Sequence, residues 1–155
     1  EVRSDVVRES LRTFAGVPHR LEPIREVDGV RYINDSKATN VNAVWFALES
    51  FSEPVVLIAG GRDKGNDYSS LKPLITSRVR ALITIGEAAE KMHEELGPCV
   101  PDCVTAENLE DAVKLAQLLA KPGDVVLLSP ACASFDMFDS YEQRGDLFKQ
   151  AVSNL

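Results

Sequence analysis

The chain has 155 residues, of which 45% are hydrophobic and 26% are charged, and its formal net charge is −7. This size and composition suit one compact domain with a substantial core, and they exclude a collagen-like, low-complexity or disordered chain. The acidic balance argues against nucleic acid and anionic membranes as partners, because both need a basic surface, and no apolar run approaches the length that spans a bilayer.

Residues 2–14 predict a helix, because the apolar side chains of Val7, Leu11 and Phe14 have helical spacing. Gly16 followed by Pro18 is typical of a helix end. We expect this first helix to be separate from the rest of the chain. The sequence therefore suggests a division at residue 15, with the domain itself over residues 16–155.

A hairpin comes next in the chain, and helices and strands alternate after it. Asp28-Gly29 between two β-prone runs predicts the hairpin. Helix starts are predicted at Thr39 or Asn40, at Gly86 and at Thr105, and the final helix is predicted over about residues 141–153, with N–H groups offered from about residue 137. A continuous apolar run predicts a strand buried on both faces at residues 54–59. Another strand is predicted at residues 79–85, and the last buried strand at residues 124–129. The alternation predicts an α/β domain of three layers, α/β/α, whose sheet is mostly parallel with a small antiparallel edge.

The three cysteines, Cys99, Cys103 and Cys132, are an odd and sparse set, which is typical of a reduced, cytosolic chain. Cys99 and Cys103 with His93 lack a fourth ligand at a suitable spacing, so no metal site is expected there. Cys132 has no evident histidine partner, and we interpret it as a small packing residue rather than a nucleophile.

Three polar loops carry most of the chemistry of the chain, and each comes directly after a predicted strand: residues 34–40, 60–67 and 129–136. Because the carboxyl ends of parallel strands meet at one rim of the sheet, we expect these loops to converge. Lys37 and Lys64 supply cations, Thr39 and Ser134 supply hydroxyls, and helix starts supply N–H groups. This set predicts a carboxylate site. The chain contains no Walker phosphate loop, so it carries half of an active site at most.

The motifs in these loops resemble those of the D-glutamate-adding Mur ligases of peptidoglycan synthesis, the UDP-N-acetylmuramoyl-L-alanine:D-glutamate ligase family. The matching segments are GVPHRLE at 16–22, NDSKATN at 34–40, GGRDKG at 60–65, LSPACASFD at 128–136 and YEQRG at 141–145. The resemblance implies a Rossmann-like C-terminal domain over residues 16–155. It also implies that residues 1–15 are the last helix of a central ATPase domain or a linker.

The resemblance further implies a bacterial cytoplasmic ligase that joins D-glutamate to UDP-N-acetylmuramoyl-L-alanine through an acyl phosphate. ATP and Mg²⁺ would be bound mainly by the central domain, with no metal ligand in this one, and the protein would be a monomer. The residues that the resemblance assigns to D-glutamate are Thr39, Lys64, Ser134, Phe135 and Tyr141. Those that it assigns to ATP are His19, Arg20 and Asp35. Lys37 is the candidate catalytic residue, which positions the acyl phosphate or the Asp35 carboxylate, and the chain alone is expected to be inactive.

Two alternatives remain open from the sequence. A sister Mur or folylpolyglutamate ligase domain would predict a different loop at residues 34–40. A free-standing module that binds acidic ligands is argued against by the separate first helix. A nucleotide-dependent oxidoreductase would need a glycine-rich dinucleotide motif after a strand, and the sequence has none.

Overall fold

The computed structural model describes residues 4–155, so residues 2 and 3 of the predicted first helix and the side chain of Leu11 lie outside the described part. The helices are α1 (Ser4–Thr13), α2 (Val41–Glu49), α3 (Lys72–Arg78), α4 (Ala89–Leu96), α5 (Leu109–Leu119) and α6 (Tyr141–Ser153). The strands are β1 (Glu22–Val27), β2 (Val30–Asn34), β3 (Val55–Gly60), β4 (Val79–Ile85), β5 (Asp102–Thr105) and β6 (Val125–Leu128). Short 3₁₀ turns at Ser69–Leu71 and Gly97–Cys99 adjoin α3 and α4.

The strands form one sheet in the order β1-β2-β6-β3-β4-β5. Only the β1–β2 pair is antiparallel, and the other four pairs within residues 4–155 are parallel. The β1–β2 turn has Asp28 at φ 52° and Gly29 at φ 78°, as a two-residue type I′ hairpin requires. The predicted fold class, with its antiparallel edge and its hairpin, is confirmed.

The strands alternate side chains between two apolar cores, one on each face of the sheet. One core joins strand residues such as Leu57 and Leu127 to the inner faces of α2, α3 and α4. The other joins Val56 and Val126 to α5 and α6, including Phe148. Each such side chain, once fully buried, contributes on the order of 2 kcal/mol through the hydrophobic effect. Burial on both faces explains why the sequence of β3 is continuously apolar.

The chain order places β6 in the middle of the sheet. After β2 the chain crosses to β3, continues outward through β4 and β5, and returns to insert β6 between β2 and β3. The loop after β6 therefore has the loops after β2 and β3 as its two neighbours. This arrangement, which depends on non-local strand pairing, brings the three polar loops together at one rim.

One predicted helix cap is wrong. Thr105 does not cap α5, because it is the last residue of β5 and its hydroxyl lies 2.9 Å from that of Thr84 in β4. The cap of α5 is Asn108, whose side chain accepts the Asp111 N–H.

The last helix spans Tyr141–Ser153 as predicted, with Ser140 as its cap, but the free N–H groups expected from a helix start near residue 137 are absent there. The N–H groups of Met137 and Phe138 donate to the carbonyl of Ser134 and therefore do not face a ligand. At α2 the predicted cap is confirmed, since Asn40 accepts the Ala43 N–H.

In residues 4–155, none of the helices is both long and apolar enough to cross a membrane.

Candidate functional site

The first loop (residues 34–40) is fastened to the third loop (residues 129–136). The Ala131 N–H donates to the Ala38 carbonyl at 2.9 Å, and the Ser129 hydroxyl donates to the Asp35 carboxylate at 2.8 Å. These bonds cross between segments that are about ninety residues apart in the chain. The predicted convergence of the first and third loops is thus present in the structure.

The second loop (residues 60–67) is fastened to the other side of the third loop. The Gly60 N–H donates to the Pro130 carbonyl and the Arg62 N–H donates to the Ala133 carbonyl, both at 2.9 Å. Gly61 lies between them at φ 140°, and a Cβ there would stand 2.4 Å from the Ala133 carbonyl oxygen. The backbones are therefore in direct contact, and only glycine fits at position 61.

Asp35 is a buried carboxylate whose partners are neutral donors. Its Oδ1 accepts the Leu21 N–H at 3.1 Å, and its Oδ2 accepts the Ser129 hydroxyl. Burial raises the pKa of Asp35 to about 6, and these two hydrogen bonds and the charge of Arg20 limit the rise. Each oxygen of this carboxylate accepts one of these hydrogen bonds, which leaves acceptor capacity on both.

Arg144, on α6, is fully buried beneath the rim. It donates from Nε and Nη2 to the hydroxyl and carbonyl of Ser36, at 2.9 and 2.8 Å, and from Nη1 to the Cys132 carbonyl at 3.1 Å. Burial lowers its pKa to about 10, so the guanidinium stays charged at neutral pH. Sequence reasoning missed this residue, although an arginine one turn before the core residues Phe148 and Val152 is a visible signal.

The two predicted lysines remain available for an anion. Lys64 is exposed, and none of the hydrogen bonds or ion pairs found within residues 4–155 uses its ammonium group. Its loop is held by Asp63, which accepts the Gly65 and Asn66 N–H groups. The Lys37 ammonium lies 6.0 Å from the centre of the Tyr141 ring.

The predicted D-glutamate residues occupy this same rim but differ in accessibility. Ser134 is 2% exposed, whereas the Phe135 side chain is 60% exposed. Thr39 is half-buried at the end of the first loop, and Tyr141 is half-buried in the first turn of α6. The Ser36 hydroxyl donates to the Tyr141 carbonyl at 2.7 Å, which joins α6 to the first loop.

Of the residues predicted to contact ATP, His19 faces inward. It is 7% exposed, its Nδ1 lies 3.0 Å from the Asn34 amide nitrogen, and its ring meets the Tyr141 ring edge-on. Gly145 makes room for it, since a Cβ there would lie 2.1 Å from its Nδ1. A structural role is therefore visible for His19, and a contact with adenine stays a prediction.

Arg20 and Asp35 instead line a pocket of about 400 Å³ beside the first loop. Lys37 contributes a cation to the same pocket, and α2 supplies an apolar wall that includes Ala43 and the exposed ring of Phe46. A mostly apolar pocket with a few converging polar groups is the usual form of a small-molecule site.

The described residues, 4–155, include no group of three or more His, Cys, Asp or Glu side chains that could hold a metal ion. Cys103 lies on the edge strand β5, away from the rim, and its Sγ is 3.4 Å from Nδ1 of His93 on α4. Cys132 is buried against the Tyr68 hydroxyl at 3.3 Å, and burial raises the pKa of its thiol, so it packs as predicted.

The fold and its rim define an α/β/α domain with three interlocked polar loops at the carboxyl ends of parallel strands. The family comparison identifies it further. A model of the family "Mur ligase, glutamate ligase domain" matches residues 19–132, and the chain belongs to that family. The resemblance noted from the loop motifs is thereby confirmed.

Two relatives that match over the whole chain have the same name. The chain is 64% identical over 155 residues to the UDP-N-acetylmuramoylalanine–D-glutamate ligase of Salinibacter ruber, covering 100% of this chain and 34% of that protein. It is 51% identical over 155 residues to the ligase of the same name from Porphyromonas gingivalis, again covering 100% of this chain and 34% of that protein. The chain spans about a third of the length of these curated relatives.

Solved structures share the fold. The bifunctional folylpolyglutamate synthase/dihydrofolate synthase from Yersinia pestis, complexed with AMPPNP and Mn ion, superposes with a TM-score of 0.69 at 18% identity, over 100% of this chain and 35% of that one. The MurF ligase from Thermotoga maritima, in complex with ADP, superposes with a TM-score of 0.61 at 16% identity, over 96% of this chain and 36% of that one. At these identities the likeness concerns the fold alone.

Proposed function

We propose that this chain is the D-glutamate-binding domain of an ATP-dependent ligase that adds D-glutamate to UDP-N-acetylmuramoyl-L-alanine in bacterial peptidoglycan synthesis. The observation that carries the proposal is the interlocking of the three loops, which gathers Thr39, Lys64 and Ser134 at one rim. The 64% identity to a ligase of that name supports the choice of substrate.

In this proposal the rim holds the two carboxylates of D-glutamate. Lys64 supplies an unpaired ammonium group, Thr39 and Ser134 supply hydroxyls, and the backbone near Phe135 supplies an N–H group. Tyr141 adds a contact from the first turn of α6. Held in this way, the amine of D-glutamate points toward the neighbouring domain, where it meets the activated carbonyl carbon.

ATP supplies the activation, because it converts the carboxylate of the acceptor to an acyl phosphate. The pocket beside α2 fits a contribution to nucleotide binding. Asp35 would accept the ribose hydroxyls, Arg20 would flank them, and His19 would support this side of the loop. Lys37 would orient the acyl phosphate or hold the Asp35 carboxylate in place. Mg²⁺ would be held by other parts of the ligase rather than by this chain.

We further propose that residues 16–155 form the amino-acid-binding unit, that residues 1–15 belong to the central ATPase domain or to a linker, and that the ligase is a monomer in the cytoplasm. The proposed division of labour predicts that the 155-residue chain binds amino acid but does not catalyse ligation. The sequence has no Walker phosphate loop with which to place the γ-phosphate.

The test is a titration of the ¹⁵N-labelled chain with D-glutamate, with L-glutamate as the matched control, and a phosphate-release assay. We expect saturable amide shifts with D-glutamate at concentrations where L-glutamate has little effect. We expect no ATP-dependent phosphate release in the presence of UDP-N-acetylmuramoyl-L-alanine and D-glutamate. Equal responses to the two enantiomers would overturn the substrate assignment, and phosphate release would overturn the division of labour.

A further inference from the structure

The Arg144 side chain contacts all three of the polar loops. Two of its nitrogens donate to Ser36 in the first loop, and a third donates to the Cys132 carbonyl in the third loop. The second loop packs on the same group, since a Cβ at Gly61 would lie 3.4 Å from Nη1. One guanidinium therefore meets all three loops.

This arrangement costs stability. All three acceptors of Arg144 are neutral oxygens, and no carboxylate within residues 4–155 forms an ion pair with it. A buried charge that no carboxylate contacts directly is unfavourable, and here Asp136 acts on the guanidinium only at a distance. A well-packed apolar side chain in place of such a charge is often neutral or stabilising. The neighbouring inward positions of α6, Phe148 and Val152, are apolar. The geometry of the loops, rather than stability, is what the guanidinium provides.

The planar guanidinium suits that task. Its donors lie in a fixed fork, so it sets both the distance and the angle between Ser36 and Cys132. A lysine has one flexible ammonium and cannot hold three fixed directions. Thr39 lies three residues after Ser36, and Ser134 lies two residues after Cys132, so a change in loop spacing moves both groups.

We propose that Arg144 is a positioning residue for the amino acid substrate. It fixes the spacing between Thr39 and Ser134 and places a buried positive charge behind the carboxylate site. This inference rests on the proposed function, since D-glutamate is the ligand whose carboxylates the rim would hold.

The test compares Arg144→Lys with Arg80→Lys in the 155-residue chain. Arg80 is also held by side-chain hydrogen bonds, two in number, but its partner is Asp124, at the opposite end of the sheet. Arg144→Lys should weaken D-glutamate binding at least tenfold, measured by amide shifts in the folded fraction. Arg80→Lys should lower the melting temperature without changing the affinity. A folded Arg144→Lys chain that binds D-glutamate as tightly as the unmodified chain would overturn the proposal.

Ser36→Ala is the second variant, and it removes one acceptor while leaving the charge in place. It should weaken binding about threefold, and the loss in the double variant should be smaller than the sum of the two single losses, because both changes break the Arg144–Ser36 contact. Ser36→Ala also removes the bond to the Tyr141 carbonyl, which Arg144→Lys leaves in place. Additive losses would contradict the inference.

Hydrogen exchange tests the positioning role without a ligand. The Ala131 amide, which bonds to Ala38, should exchange at least tenfold faster in Arg144→Lys, while the amides of β6 stay protected. If the unmodified chain does not bind D-glutamate, the proposed function fails and this exchange rate alone decides whether Arg144 fixes the loops. Unchanged exchange at Ala131 would show that it does not.

Discussion

The two ends of the sheet treat buried charge in opposite ways. At the amino end, Asp124 is met by Arg80 through two hydrogen bonds of 2.8 and 3.1 Å, and it also accepts the Lys121 N–H. At the carboxyl end, Arg144 donates only to neutral oxygens, and Asp35 accepts only from neutral donors. Among these buried groups, the amino end pairs opposite charges directly, whereas the carboxyl end leaves Arg144 and Asp35 without a direct ionic partner; the more exposed Asp63 in the second loop does pair with Lys91.

The difference indicates what each end is built for. A charge pair that neutralises itself stabilises a turn and leaves little field for a ligand. Unpaired charges cost stability but retain the capacity to bind. Departures from the rules of stable packing are expected where a protein carries its function. The carboxyl end, with its three interlocked loops, is where we propose that the chain binds its ligand.

The largest difference in stability between the two ends is expected when a glycine at each end is replaced by alanine. Gly61→Ala at the rim should destabilise the chain by about 4 kcal/mol, because its Cβ would collide with a backbone carbonyl and its φ is positive. Gly123→Ala at the amino end meets open space and should cost only about 1 kcal/mol of conformational strain. Urea denaturation of both variants measures the difference, and equal losses would show that the rim backbones are not in tight contact.

Breaking the charge pair at the amino end should affect stability alone. Asp124→Ala removes the partner of Arg80 and should lower the free energy of unfolding by about 3 kcal/mol. This value is at the lower end of the range for breaking a buried ion pair, because the Arg80 side chain reaches solvent. The affinity for D-glutamate should not change. A loss of affinity in the folded variant would mean that the two ends of the sheet are coupled.

Asp35 should make stability depend on pH. Its pKa rises from 3.8 to about 6 on folding, so the folded state binds the proton more tightly than the unfolded state. The free energy of unfolding should therefore fall as the pH rises from about 4 to about 6, by at most about 3 kcal/mol, and then level off.

Asp35→Asn should remove that fall, whereas Asp102→Asn, which changes an exposed carboxylate on β5, should retain it. Chemical denaturation at a series of pH values gives both curves. If the curve of Asp35→Asn coincides with that of the unmodified chain, another group accounts for the pH dependence.

The smallest effect on folding is expected at Lys64. Lys64→Ala should change the free energy of unfolding by less than about 0.5 kcal/mol, because the side chain is exposed. The same change should weaken D-glutamate binding about tenfold. Lys121→Ala, at the amino end, is the matched control and should leave the affinity unchanged. Equal affinities of the two variants would remove Lys64 from the site.

Local signals in the sequence were sufficient for much of the fold. Asp28-Gly29 marked the hairpin, the apolar run at residues 54–59 marked β3, and helical spacing marked the inner face of α4. The gathering of three polar loops at one rim was predictable from the general behaviour of parallel sheets.

The remaining features depend on partners that are distant in the chain. Threonine is a residue type that often caps helices, yet Thr105 lies in β5 and is paired with Thr84 of the neighbouring strand β4. The position of β6 in the sheet, and with it the contact of Arg144 with Ser36 and Cys132, is set by non-local pairing. The spacing of Arg144 from Phe148 shows in the sequence that this arginine lies on the inner face of α6, but local propensity carries no information about its partners, so its contacts with the loops could be identified only once the fold was known.

The most direct test of D-glutamate binding at this rim is a map of the amide shifts that D-glutamate causes across the ¹⁵N-labelled chain. We predict that the saturable shifts lie in the three loops and the first turn of α6, and that the turns near Asp124 do not respond. Saturable shifts centred on the amino end, or no saturable shifts in the three loops, would contradict the assignment of the amino acid to this rim.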